Sequence, residues 1–116
     1  MSEPKPSARV IGSAEEAISV AHALAAGFRE GASERDRTRR LPVAEIEAFS
    51  ASGLWAITVP RRFGGIEASY ATVAEMIRIV SAADPCIGQI PQNHLGVVQA
   101  IRSHSDEAQQ LSLIHI

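Results

Sequence analysis

The residues with most chemical reach lie between positions 86 and 94. Gln89 and Asn93 are four apart, so on a helix they share a face. Cys86, Gly96 and Ala100 continue that stripe with small side chains. Two amides, each able to donate and accept, beside small residues leave room for a planar or polar ligand. The competing reading is structural: the same face packs on another segment and its amides bond to backbone. His94 adds an imidazole on the apolar side of this helix, either as a site residue or as a core histidine with one nitrogen satisfied. Cys86 stands near a helix N-terminus, where thiol pKa values fall, but no base or second thiol is evident, so it reads as structural.

Other motifs are weaker. Phe63-Gly64-Gly65 is a turn in which one glycine supplies a positive φ; it is a plain turn or a loop against which a ligand can come close. The run Glu34-Arg35-Asp36-Arg37-Thr38-Arg39-Arg40 reads as a solvated helix end with cations near the C-terminal dipole, against a phosphate or cofactor site as the alternative. No carboxylates pair for acid–base work, and no glycine-rich phosphate loop is present. His22, His94, His104 and His115 have no metal-ligand spacing, so no metal is expected. Trp55 reads as a core anchor.

The elements that must carry these residues are helical. Residues 1–12 form a Pro- and Ser-bearing arm, loosely held. Ser13-Ala14-Glu15-Glu16 is a capping box that opens a first helix. Its apolar face is Ala14, Ala17, Ile18, Ala21, Leu24, Ala25 and Phe28, and it runs to Arg35 or beyond despite Gly27 and Gly31. Pro42 starts a second helix that Gly53 ends as a left-handed cap. Leu54–Val59 is a short extended or irregular segment stopped by Pro60. Ser69 caps a third helix with Val73, Met76, Ile77 and Val80 on one stripe. Asp84-Pro85 opens the fourth, the helix of Gln89 and Asn93. Its expected apolar face is Ile87, Ile90, His94, Val97, Val98 and Ile101, with a kink at Pro91. Ser105-Asp106-Glu107 begins a fifth helix that does not develop. The fold class is therefore all-α.

Composition narrows the function. At 116 residues one small domain is the ceiling. With 11 basic against 13 acidic residues there is no broad cationic footprint, and with 4 % aromatics no stacking platform, so nucleic acid is excluded as a partner. No apolar run is long enough to span a membrane, and the N-terminus lacks a signal peptide. A single cysteine forms no internal disulfide, so a soluble cytoplasmic protein is the reading that remains. The last six residues, 111–116, read Leu-Ser-Leu-Ile-His-Ile. They resemble the translated start of a sequencing adapter, so the native sequence is expected to end near Gln110 within a longer gene.

Two stretches carry a family resemblance. Gly53-Leu54-Trp55-Ala56-Ile57-Thr58-Val59-Pro60 followed by Phe63-Gly64-Gly65 resembles the N-terminal helical domain of the acyl-CoA dehydrogenase superfamily. Ala82-Ala83-Asp84, Gly88-Gln89-Ile90-Pro91-Gln92-Asn93-His94 and Glu34–Arg37 are similar to the branch of flavin-dependent sulfur-acquisition oxidoreductases and dibenzothiophene-type monooxygenases. The resemblance covers about residues 10–110.

It implies a truncated enzyme. The family has an N-terminal helical-bundle domain, a middle β-domain and a C-terminal four-helix bundle, usually as a homotetramer. Residues 13–110 would be the first of these, closing one side of a pocket for FAD or FMN and a small-molecule substrate, an organosulfur compound or an acyl-CoA. Most flavin contacts, and the carboxylate base of dehydrogenase members, would lie in the other domains. No catalytic residue is therefore assigned here, and the fragment alone is expected to be inactive. Gln89, Asn93 and His94 match the polar set facing the flavin edge, with Phe63, Gly64 and Gly65 as pocket wall. Well-known relatives carry a histidine and a tyrosine at the first two positions; an amide can donate there but is no acid near neutral pH. An acyl-CoA dehydrogenase fragment and a non-catalytic helical interaction module are the alternatives.

Overall fold

Local chemistry at the helix ends sets most of the architecture. The computed structural model describes residues 7–112. Its helices are α1 (Ala14–Arg29), α2 (Ala32–Thr38), α3 (Val43–Ser52), α4 (Tyr70–Ala83), α5 (Pro85–His104) and α6 (Glu107–Leu111). No strand occurs among the described residues, in accord with the all-α reading. Nor is any helix among them long and apolar enough to cross a membrane.

Ser13 caps α1 by accepting the Glu16 N–H at 3.1 Å. Glu16 does not reach back to Ser13. Its carboxylate accepts the Gly12 N–H at 2.9 Å and pairs with Arg9 at 2.6 Å. The Gly12 hydrogen bond and then the Arg9 cation hold the Glu16 carboxyl below its ordinary range. This corrects the loose-arm expectation for residues 9–12: the Arg9 N–H also donates to the Ala51 carbonyl, and Ile11 is buried. The rest of the expected arm, residues 1–6, lies outside the described residues.

α1 buries Ala17, Ala21, Ala25 and Phe28 along α4, and α4 packs in turn on α5. Phe49, Leu54, Ile57, Met76 and Ile87 fill the space between helices and are fully buried. Each such side chain stabilises the fold by about 1.5–3 kcal/mol. Ser69 caps α4 and Asp84 caps α5, both as the sequence indicates. Asp84 alone joins these two helices into a hairpin. At Gly88 the helices nearly touch: a Cβ there would lie 2.0 Å from the Ser81 hydroxyl oxygen, so only glycine fits.

Several expectations are corrected. The first helix does not run to Arg35. It ends at Arg29, Glu30 is extended, and Gly31 at φ 74° restarts the chain as α2. Pro42 sits one residue before the next helix rather than inside it. Of the two readings of Leu54–Val59, extended or irregular, the irregular one holds. The segment forms a 3-10 turn at Leu54–Ala56, and a second follows at Arg61–Phe63. With no neighbouring strand, its carbonyls are satisfied from the returning chain: Ile57 accepts from Ala68 at 2.8 Å and Val59 from Glu67 at 3.0 Å. Pro91, where a kink is expected, lies buried inside α5, which is helical on both sides of it. Its buried face is Ile87, Gly88, Pro91, Leu95 and Val98, whereas Ile90 and Val97 are exposed. The fifth expected helix does form, as short α6, with Asp106 and Gln109 closing a capping box. Leu111, the first residue of the terminal hexapeptide, is the last of α6; residues 113–116 lie outside the described residues.

Candidate functional site

α5 presents Cys86, Gln89, Asn93, Gly96 and Ala100 together on an exposed face. The predicted stripe therefore exists, and it is not packed on any described segment. Ile90 and Val97, 42 % and 61 % exposed, lie among these residues. The face is thus both amide-bearing and apolar.

His94 points the other way. It is half-buried, with its ring edge-on to Trp55 at 4.6 Å between centroids. Its Nε2 lies 3.1 Å from the Trp55 carbonyl oxygen. Facing a carbonyl oxygen, Nε2 is the donor in that contact. Trp55 also stacks edge-on with Phe49 and donates its indole N–H to the Ser50 hydroxyl at 2.9 Å. Trp55 is therefore an anchor, as expected, and His94 is its brace.

Phe63, Gly64 and Gly65 form the expected turn, with Gly64 at φ 91°. Gly65 lies so close to Val59 that a Cβ would fall 2.0 Å from its carbonyl oxygen. The loop walls a cleft of about 510 Å³ whose other side is Trp55 and residues 8–11. Gln89 and Asn93 do not line this cleft. The six predicted site residues thus fall in two places, linked through the contact of His94 with Trp55.

The charged run is exposed, as its solvated reading has it, except at Arg35. Arg35 is 5 % exposed. Its Nε and Nη2 donate to one Asp84 carboxylate oxygen at 3.2 and 2.9 Å, and Nη1 donates to Glu45 at 2.8 Å. The Glu30 and Phe28 carbonyls accept its remaining donors. The other Asp84 oxygen accepts the Cys86 N–H at 3.0 Å, capping α5. Arg35 thus ties the ends of α1 and α3 to the start of the helix that carries Gln89 and Asn93. Its partners on Glu45 and Asp84 are 10 and 49 residues away, which is why spacing did not show them.

Sequence reasoning also missed a cleft of about 490 Å³ between α4 and α5. Val73 and Ile77 form one apolar wall, Leu95 and Gly96 the other. Gln92, Gln99 and Arg102 stand on the α5 side, offset from the Gln89–Asn93 stripe. The repeat of amides at 92 and 99 was the available signal.

Comparison with known proteins agrees with this architecture. Residues 14–114 match the acyl-CoA dehydrogenase N-terminal domain. Dibenzothiophene monooxygenase of Rhodococcus erythropolis is 41 % identical over 78 residues, covering 67 % of this chain and 19 % of that protein. Indole-3-acetate monooxygenase of Pseudomonas putida is 43 % identical over 70 residues, 59 % of this chain and 18 % of that protein. A protein of Pseudomonas putida named probable FMNH2-dependent monooxygenase is 32 % identical over 89 residues, 77 % of this chain and 22 % of that protein. No solved structure gives a significant match. The chain spans about a fifth of the length of the curated relatives it matches. On the domain match and the identities to these monooxygenases, the chain belongs to the acyl-CoA dehydrogenase family, as its N-terminal helical domain.

Proposed function

We propose that this chain is the N-terminal domain of a longer flavin-dependent monooxygenase, and that its α5 face closes one side of the flavin and substrate pocket. The observation that carries this reading is the exposed face of Gln89 and Asn93 among the exposed Ile90 and Val97. Amides and aliphatic side chains left together at a helix surface suit an interface more than open solvent. The names of the relatives, monooxygenases of dibenzothiophene and of indole-3-acetate and an FMNH2-dependent one, supply the reaction class.

A flavin ring fits this face in part. Gln89 and Asn93 offer neutral donors and acceptors for a ring edge. From Pro85 to Ile101 the helix carries no lysine or arginine, so nothing on it suits a phosphate. The phosphate of FMN or FAD is then held by other domains, and the isolated chain binds neither tightly. A bound reduced flavin supplies the activation of dioxygen. The chain's own part is to orient and to exclude water: Gln89 and Asn93 donate to or accept from the ring edge and substrate, and Ile90 and Val97 keep water out. His94 acts through Trp55, fixing the wall that continues to Phe63, Gly64 and Gly65. The parent is read as a cytoplasmic homotetramer acting on an organosulfur or other aromatic small molecule, with native sequence continuing past Gln110.

In the full-length parent, Asn93→Ala should lower oxygenation driven by reduced flavin by roughly tenfold, within the range of a single lost positioning or proton-handling contact. An unchanged rate, or turnover by residues 1–116 alone, contradicts the proposal. Reduction of an acceptor dye by an acyl-CoA would instead favour the dehydrogenase reading.

A further inference from the structure

We propose that the cleft between residues 8–11 and the Phe63–Gly65 loop holds the apolar stretch of chain that directly follows Gln110 in the parent. This rests on the reading of a longer parent and concerns how that parent is assembled, not what it oxidises. The cleft, about 510 Å³, is lined by Ile11, Ile57 and Val59, which are buried, and by Trp55 and Phe63, which are half-buried. Val10 also lines it and is 79 % exposed, the highest value for a large apolar side chain among the described residues. Rings and aliphatic side chains left in water together mark a surface that another apolar segment covers. Charge has no place there. Arg9 is the one charged side chain in the lining among the described residues, and it is paired with Glu16 at 2.6 Å. The Trp55 indole N–H is taken by Ser50. A charged group entering the cleft loses hydration without gaining a free partner, so the occupant is an uncharged stretch.

The exit of the chain selects which stretch this is. In α6 the Gln110 side chain is held at both ends of its amide. The nitrogen donates to the Arg102 and Ser105 carbonyls, both at 3.0 Å. The oxygen accepts from Arg62 Nη2 at 2.5 Å. The Arg62 guanidinium lies in turn over the Phe63 ring, 4.7 Å from its centroid, and Phe63 is a wall of the cleft. The chain therefore leaves the domain beside the loop that borders the cleft. Each further residue, if extended, carries it roughly 3.3 Å. A short connection also keeps the loop-closure entropy of docking small, an advantage that a second copy of the chain lacks. The chain spans about a fifth of the length of its curated relatives, so the parent has the sequence to supply.

The test places photoreactive benzoylphenylalanine at Val10 of the full-length parent and maps the crosslink by mass spectrometry. The crosslink should join position 10 to the stretch directly after Gln110 of the same chain. A second readout is alkylation by iodoacetamide at Val10→Cys, followed site by site. It should be slower by roughly tenfold or more in the parent than in the 116-residue chain, because the docked stretch must open first. Ser33→Cys, at an exposed position on α2, is the control and should react at the same rate in both. A crosslink to a later domain or to another subunit, no crosslink, equal alkylation of Val10→Cys in both chains, or an equal slowing at Ser33→Cys overturns the proposal. A source frame that stops after this region removes the longer parent and both readings with it. An open frame with any of the contrary results overturns this proposal alone.

Discussion

At the Asp84 end of the α4–α5 hairpin, Gly88 sits against Ser81 and the bend is held by Arg35. At the other end Val73, Ile77, the buried Leu95 and Gly96 line a cleft of about 490 Å³. Charge follows the same division. The closed end contains a buried guanidinium bonded to two carboxylates and two carbonyls. The open end has the Gln92 amide, a Gln99 amide bonded to Ser103 and Arg102, a Thr58 hydroxyl with no partner among the described residues, and a long ion pair. At the closed end every donor of Arg35 is taken, although Glu45 Oε2 has no hydrogen-bond partner among the described residues; at the open end the Arg102–Glu67 pair is longer and more exposed. A domain that contributes one wall to a pocket needs both: a rigid base and an unsatisfied rim.

Breaking the closed end should have the largest effect. Arg35→Ala strands Asp84 and Glu45 without their buried partner and should cost about 3–5 kcal/mol in urea unfolding. Arg37→Ala, an exposed neighbour in the same run, should stay within about 0.5 kcal/mol. Equal effects of the two would return the run to its solvated reading. Next, Gly88→Val should cost about 1–3 kcal/mol by forcing the helices apart at Ser81. At the open end the sign reverses. Gly96→Ala should raise stability by about 0.5–1 kcal/mol, since the helix gains propensity and the new methyl meets nothing. A loss of stability there would mean that the cleft is closed in solution.

The smallest effect lies outside the hairpin, at Glu16. Its carboxyl is held below the ordinary range in the folded chain. The tie between residues 9–12 and α1 is therefore complete above the unfolded pKa of about 4.3 and is lost as pH falls through the lower folded value. The Gly12 amide resonance should follow this acid transition, and Glu16→Gln should remove it. A Gly12 shift that titrates in Glu16→Gln as well would assign the transition to another group.

Short-range chemistry was legible in the sequence, and relations that depend on where one helix lies against another were not. Ser13, Gly53, Ser69 and Asp84 all end or begin helices as read, because a cap involves partners two or three residues away. That Gln89 and Asn93 share a face was likewise readable from spacing; that this face is exposed was not. Arg35 was misread because its carboxylates lie on α3 and at the α5 cap. Ile90 and Val97 were placed inside because apolar spacing does not reveal how far a helix is rotated. The buried face is Ile87, Gly88, Pro91, Leu95 and Val98, and at Gly88 it comes against Ser81 of α4. The cleft of Gln92 and Gln99 was missed for the same reason, since its lining comes from both α4 and α5.

The central claim is that α5 presents an interdomain face of a longer flavin enzyme, and it is tested most directly by sequencing the source DNA through and beyond the codon for Gln110. The account predicts an open frame that continues into a β-rich segment and a helical bundle. A stop codon in the native frame directly after this region would contradict it and leave a free-standing helical module as the reading.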